Sequence, residues 1–419
     1  MTSETAPGSL SEPRAFAVLR VPGFRPYLAT FFLTMMADNV EHVISYWLMF
    51  QKFQSAALGG FAVVSHWLPF LALSVPVGAL NDRFDSRRLI QLGGALFLLV
   101  SAGWGYLFLS DTLQIWHAML LLVLHGCAGV FWMTSSQMLL YDIVGAEQLK
   151  SAVRLNATAR YLGVLVGPAL GSLLMLSLGP TGGIFSNTLF YLPLLVWLAK
   201  APYGRHFRGA SAVARHAVRG LPDIVQTLRD IRAAPSIGSM VLLAGAASFF
   251  VGNSYQAQMP GFAHDLGHGD PGVAYTALLG ADAAGALLAG LLLESSGRLF
   301  DTRRSTALKL GLCWAAALLG FAACQQFALA LLLLFLAGFF ELSFSSLAQT
   351  LVQLNAPEQI RGRVLGLFGM ASSGLRAFSG VTVGLAGSLT SIHTSLGLAA
   401  IAFFCAVCLQ LLWGAPDSS

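Results

Sequence analysis

Charge is what this chain has least of. Only 10% of its 419 residues are Asp, Glu, Lys or Arg, against about 25% in soluble domains. The chain is also 56% hydrophobic, and apolar runs of about 20 residues, long enough to cross a bilayer, recur from end to end. That balance argues against a soluble fold and for an all-α polytopic membrane protein. The first 25 residues are polar, broken by Pro13, Pro22 and Gly23. They lack the charged, apolar and small-residue order of a cleaved signal peptide, so the first span is expected to act as its own insertion signal. Cysteine is scarce too. Cys127, Cys313, Cys324, Cys405 and Cys408 have no zinc-like spacing and read as small apolar packers.

The apolar runs divide into twelve spans, near 26–50, 58–80, 89–109, 113–140, 155–178, 183–199, 236–260, 272–293, 306–325, 328–352, 363–389 and 394–413. With the N-terminus placed in the cytoplasm, 22 of the 24 Lys and Arg fall on the cytoplasmic side or at that edge of a span, the exceptions being Lys52 and Arg376. This asymmetry fixes the orientation by the positive-inside rule. It also accounts for the net charge of +5 without a nucleic-acid partner. The expected organisation is a cytoplasmic segment 1–25, a six-helix half 26–199, a linker 200–235, a second half 236–413 and a tail 414–419, with both termini cytoplasmic. In the linker, Val218, Leu221, Val225, Leu228 and Ile231 recur at helical spacing beside basic residues. They suggest a helix lying on the membrane surface, in contact with lipid, or equally a tether whose charges only set topology.

The two halves follow one plan. Gly290-x-Leu292-x-Glu294 repeats the spacing of Gly78-x-Leu80-x-Asp82 after 212 residues, and Arg303-Arg304 stands in for Arg87-Arg88 after a four-residue insertion. Ala146-Glu-Gln-Leu-Lys150 returns as Pro357-Glu-Gln-Ile-Arg361, and Ser135-Ser136 as Ser345-Ser346. Parallel six-helix halves usually pack about a pseudo-two-fold axis along the membrane normal, with a substrate site between them near the midplane.

On these motifs the chain resembles the major facilitator superfamily over essentially its whole length. The hairpin Gly78–Arg88 resembles that superfamily's signature, with Asp85 in place of its second glycine, which predicts a turn of different shape. Within the superfamily the chain resembles the branch of enterobactin exporters and drug-proton antiporters, through Leu19-Arg20, Phe24-Arg25, Leu155-Asn156-Ala157 and Arg361-Gly-Arg-Val-Leu-Gly366. The resemblance implies a fold of two six-helix bundles. It implies that Gly78, Asp82, Arg83 and Arg87 lock the interface between halves when the protein faces outward, with Glu294 and Arg303 as counterparts and Asp142 as a partner for the arginines. Gly163-x-x-x-Gly167-Pro168-x-x-Gly171 resembles the antiporter motif. Small residues at this spacing allow close helix approach, and the proline permits a bend.

Ionisable groups deep in spans are costly and usually face a cavity or a partner. Asp38, Glu41 and His42 share one face of span 1 at i, i+3 and i+4; with Glu341 in span 10 they are the proton-coupling candidates. Candidates for the substrate cavity are Asn39, Tyr46, His66, His125, Trp132, Asn253, Gln256, Asp282, Ser345 and Arg376. A structural pair between Glu341 and Arg376 is an open alternative. So is a packing role for His125, which occupies the place where many proton-coupled facilitators have an arginine.

Asp38-x-x-Glu41-His42 looks like an inverted zinc motif with its first histidine replaced. There is no His-Glu-x-x-His helix and no second ligand set, which argues against a metalloenzyme, and no metal or cofactor is expected to reside in the protein. The expected function is proton-driven export of a small amphipathic molecule, such as a siderophore or drug, by a monomer in a bacterial inner membrane. A lysophospholipid flippase, a metal-ion exporter and a proton-coupled uptake permease remain alternatives.

Overall fold

The computed structural model describes residues 15–53, 56–204, 221–231, 234–252, 255, 258–266, 271–296, 299–379 and 390–413. Among them the architecture is helical. The first half begins with α1 (Phe24–Phe53), α2 (Ala56–Arg83) and α3 (Ser86–Leu109). An 86-residue helical run, Ile115–Lys200, follows. It is three helices, because Gly145 and Gly179 take φ values of 66° and 72°, a left-handed conformation that side chains with a Cβ disfavour. These breaks give α4 (115–144), α5 (146–178) and α6 (180–200).

A short helix α7 (Leu221–Asp230) precedes the second half. There α8 (Pro235–Ala246) runs into a π-turn, Ala247–Val251, and α9 (Met259–Asp265) follows it. Next come α10 (Pro271–Ser296), α11 (Arg304–Ala323) and α12 (Phe327–Asn355). Then α13 (Arg361–Gly369) continues through a π-turn, Met370–Gly374, into α14 (Arg376–Ser379), and α15 (Ile392–Trp413) closes the chain. Every predicted span is matched by helix among the described residues. Seven helices there are long and apolar enough to cross a membrane, the 86-residue run counting as one.

Lipid tails are as apolar as leucine, so helices in a bilayer associate through close packing and hydrogen bonds rather than by leaving water. Each half accordingly has its own tightly packed aromatic core. In the first, Trp132 stacks on Phe31 with ring centres 4.8 Å apart, and Phe97 lies parallel to Tyr191 at 5.3 Å. In the second, Trp314 meets Phe344 and Phe403 at 5.2 Å each. Leu109, Leu176 and Leu412 are exposed, as suits a lipid-facing rim.

The halves touch along two seams, α2 against α13 and α5 against α10, the pairing that the internal repeat requires. In the first seam, a Cβ at Gly78 would strike the Gly362 carbonyl, so glycine is needed at this crossing. The hairpin turn differs from a glycine turn as the sequence suggests. Asp85 is the N-cap of α3, with extended φ and ψ of −72° and 122°, and its side chain accepts from the Arg87 amide. An aspartate there satisfies one of the free amides at a helix start.

Of the linker, α7 is described and 205–220, with Val218, lies outside the described residues. Asp223, Thr227 and the following Ile231 are buried and Ile224 packs against the core, while Val225, Gln226, Leu228 and Arg229 are exposed, so the predicted apolar stripe is split between the two faces. Lys52, away from the other basic residues, is neutralised at 2.5 Å by Asp111, and Lys52 holds that exposed carboxyl below its usual range.

Candidate functional site

The first feature is a buried ionisable cluster inside the N-terminal half. Helical spacing puts Asp38 and Glu41 on one face of α1, and α4 brings His125 between them. His125 Nε2 lies 2.7 Å from Asp38 Oδ1, and Nδ1 lies 2.8 Å from Glu41 Oε1. All three residues are buried. A neutral imidazole has one N–H, and only the imidazolium offers two. Two ionised carboxylates on the two ring nitrogens are both satisfied only when this trio holds an extra proton. The other Glu41 oxygen accepts from the Ser101 hydroxyl of α3. Asn187 of α6 donates to Ser101 and, at 3.0 Å, to the Ala37 carbonyl. His42 sits 3.8 Å from Asp38 and 4.8 Å, ring to ring, from His125. Tyr46 stands beside His42 at 5.1 Å, and His66 of α2 faces His42 at 4.9 Å.

The second feature is a cavity between the halves. Aromatic walls come from Phe31, Trp314, Phe344 and Phe368, and charge from Arg160, Glu341 and Arg376. Gln137, Asn156, Ser345 and Gln349 add hydrogen-bonding groups. Behind Glu341, the Tyr255 hydroxyl lies 3.3 Å from Asp282 and 3.4 Å from Glu341. Arg376 donates to the Ser372 carbonyl at 3.1 Å. Its guanidinium lies 5.2 Å over the Trp67 ring, and Trp67 in turn lies edge-on to His66 at 4.6 Å. Packed rings thus join the cavity between the halves to the ionisable cluster inside the N-terminal half.

The third feature is a set of polar contacts between the halves, at the end of the molecule that carries most of the basic residues. Asp82, at the end of α2, accepts from the backbone amides of Gly362 and Arg363 at 2.6 and 3.2 Å, and Arg363 Nε lies 3.6 Å away. A carboxylate here meets both the free amides and the positive dipole end of α13. The repeat reproduces the device. Glu294 accepts from the Ser151 hydroxyl near the start of α5, and from the Phe16 amide at 3.0 Å. Ser151 precedes Gly362 by 211 residues, as Asp82 precedes Glu294 by 212. Arg154 donates to the Leu293 carbonyl, and Lys150 donates to the Phe300 carbonyl at 3.1 Å. Lys150 lies outside the spans. Burial, assisted by Arg154 and opposed by Asp301, pulls its amine down to about 8.

The remaining candidates fall into place around these features. Arg87 binds Asp85 at 2.8 Å and the Ala201 carbonyl. Arg303 stands 4.0 Å from Asp301, two residues before it, at an exposed site. Arg83 lies over Phe84, and Asp142 sits half-buried near the end of α4. Gly163, Gly167 and Gly171 seat α5 against Met35, Asn39 and Val40 of α1, with Pro168 inside α5. The antiporter-like motif therefore holds the helix that carries Asp38 and Glu41. Asn39 donates to the Met35 carbonyl at 2.8 Å and forms part of that helix contact. Trp132 is buried behind Phe31, which takes the place at the cavity wall. Asn253 and Gln256 lie outside the described residues.

Sequence reasoning missed Ser101, Asn187 and Arg160. Asn187 had a signal, as the one amide side chain in its span. Ser101 had none among many span serines. Arg160 was absorbed into the charge count at the cytoplasmic edge of span 5.

Comparisons with known proteins agree with this fold. A model of the transmembrane secretion effector family matches residues 14–418. The multidrug efflux pump Tap of Mycolicibacterium fortuitum is 25% identical over 351 residues, covering 80% of this chain and 82% of the pump. The protein of that name from Mycobacterium tuberculosis H37Rv is 25% identical over 233 residues, covering 53% and 55%. Among solved structures, the E. coli fucose:proton symporter FucP superposes with a TM-score of 0.71 at 14% identity, over 95% of this chain and 99% of that one. The human organic anion transporter MFSD10 (TETRAN) gives 0.73 at 14% identity, over 93% and 99%.

Proposed function

Because the chain belongs to the major facilitator superfamily, within its transmembrane secretion effector family, we propose that it is a proton-coupled exporter of small amphipathic molecules. The observation that carries this reading is His125 held between Asp38 and Glu41 at 2.7 and 2.8 Å inside the N-terminal half. A proton shared by these three groups is a movable charge in a low-dielectric site, where its gain or loss strongly biases conformation. The cavity supports the substrate class: aromatic walls with two arginines and one glutamate suit a ligand with an apolar body and a polar or charged head. The name of the Tap relatives supports the outward direction.

In this reading the basic end faces the cytoplasm of a bacterial cell, as the positive-inside rule requires, and both termini lie there. The Asp82 and Glu294 latches hold that end closed while the cavity opens outward. Protonation of the trio releases the latches, the cavity turns inward and collects its substrate, and loss of the proton to the cytoplasm resets the cycle. Arg376, Trp67 and His66 provide the physical contact through which cavity and trio sense each other. The protein works as a monomer, with protons and the exported molecule as its partners.

The test uses purified protein in liposomes with an imposed pH gradient and a fluorescent amphipathic dye. Wild-type protein should drive dye movement against the proton flow. Asp38→Asn and Glu41→Gln should abolish the gradient-driven component, while exchange of dye across a zero gradient persists. Gradient-driven transport that survives in both variants refutes the assignment, and dye moving with the protons makes the protein an uptake permease.

A further inference from the structure

The trio leaves two histidines unexplained. His42 Nε2 and His66 Nδ1 are buried nitrogens with no hydrogen-bond partner among the described residues. A buried nitrogen without a partner is costly. Both belong to a group of three, His42, His66 and His125, whose ligand-type nitrogens all lie within 4.8 Å of one another. The rings come from three helices, α1, α2 and α4, that are already packed together. Tetrahedral zinc with bonds of about 2.0–2.1 Å places its ligand atoms roughly 3.4 Å apart, so side-chain rotation closes the remaining gap without moving a helix. Asp38 Oδ2, 3.8 Å from His42, supplies a fourth donor.

We propose that His42, His66, His125 and Asp38 form a binding site for a borderline transition-metal dication of the Zn²⁺ class, built into the wall of the N-terminal half. Three imidazoles and one carboxylate favour Zn²⁺, Ni²⁺, Co²⁺ or Cu²⁺ over Mg²⁺ and Ca²⁺. Charge favours it too: Asp38 and Glu41 carry two negative charges into a buried site, and a dication with three neutral imidazoles cancels both. His125 turns Nε2 from Asp38 to the metal and keeps its Nδ1 contact with Glu41, and such a carboxylate partner orients a histidine ligand and raises its basicity. Metal and proton compete for Asp38 and His125, so the ion enters only the deprotonated trio; it is not cargo, since none of the four ligands lines the cavity between the halves.

The experiment is a Zn²⁺ titration of the purified full-length protein in detergent micelles, without gradient or transported dye, so its outcome is independent of the export reading. The expected result is one Zn²⁺ per chain. Binding should weaken about 100-fold or more in His42→Ala and His66→Ala, and 10- to 100-fold in Glu41→Gln. It should be unchanged by excess Mg²⁺, in His264→Ala and in a cysteine-free variant. Co²⁺ added to the wild-type protein provides a readout that needs no variant: a visible d–d band of tetrahedral strength without thiolate charge transfer. The proposal is overturned by the absence of a stoichiometric site, by binding that survives in His66→Ala, by loss of binding in the cysteine-free protein, or by a Co²⁺ spectrum with thiolate or octahedral character.

Discussion

Replacing Asp82 by Asn removes one negative charge from the start of α13 and changes little else in shape. In the closed basic end, that carboxylate accepts two amides and lies 3.6 Å from the buried Arg363. Asn keeps one acceptor oxygen but presents an NH₂ to the second amide. A hydrogen bond to a charged group contributes about 1.5–3 kcal/mol, and a carboxylate at a partly buried helix start up to about 2 kcal/mol. These overlap, so a loss of about 2–3 kcal/mol from the closed state is expected, or ~30- to 150-fold in the closed-to-open ratio. Glu147 and Glu358 are exposed, repeat-related positions flanking the two helix starts. Nitroxides placed there in a cysteine-free background report the separation of the basic ends by pulsed electron resonance. Wild-type protein should give mainly the short distance, and Asp82→Asn a dominant longer one. An unchanged distribution would show that the contact does not control closure.

Three further outcomes follow from the same contacts. Gly78→Ala drives a methyl group into the Gly362 carbonyl, and overpacking of this kind costs about 1–3 kcal/mol. The same labels should report opening, and the double variant with Asp82→Asn should open less than the two effects combined, because both act on the start of α13. Trp67→Ala removes the ring between Arg376 and His66; dye binding should weaken ~2- to 30-fold, while protons released per dye bound fall well below the wild-type value. Lys150 has a folded-state value of about 8 against an ordinary 10.5, so the unfolded chain binds more protons between those values and stability rises with pH across that window. Lys150→Met should flatten the slope of melting temperature against pH from about 8 to 10, and an unchanged slope would assign it to other groups.

The architecture was legible because its signals are long-range and redundant. Twelve apolar runs, the asymmetry of Lys and Arg, and the offsets of 209 to 212 residues each point to two parallel six-helix halves. The latch was legible in part. Asp82 and Glu294 were visible as a repeated carboxylate, but their partners are amides and a hydroxyl, which carry no distinctive residue type. Arg87 was expected at the interface between halves and is found on its neighbour Asp85, because a carboxylate two residues away is reached more readily than one on another helix. The i, i+3, i+4 spacing announced Asp38, Glu41 and His42. His125 could not be joined to them, since nothing local says which face of span 4 meets span 1. That depends on how α1, α3 and α4 pack, and the serine and asparagine that complete the cluster are too common in spans to stand out.

The central claim is that the Asp38–Glu41–His125 trio exchanges its proton when the cavity takes up a substrate. The direct measurement is the proton released into weakly buffered solution when an amphipathic dye, first shown to bind by thermal shift, is added to the purified protein. Wild-type protein should release protons in proportion to dye bound. Asp38→Asn, Glu41→Gln and His125→Gln should each bind the dye and release few or none. Dye binding by wild-type protein without proton release, or release that is undiminished in all three variants, would contradict the account.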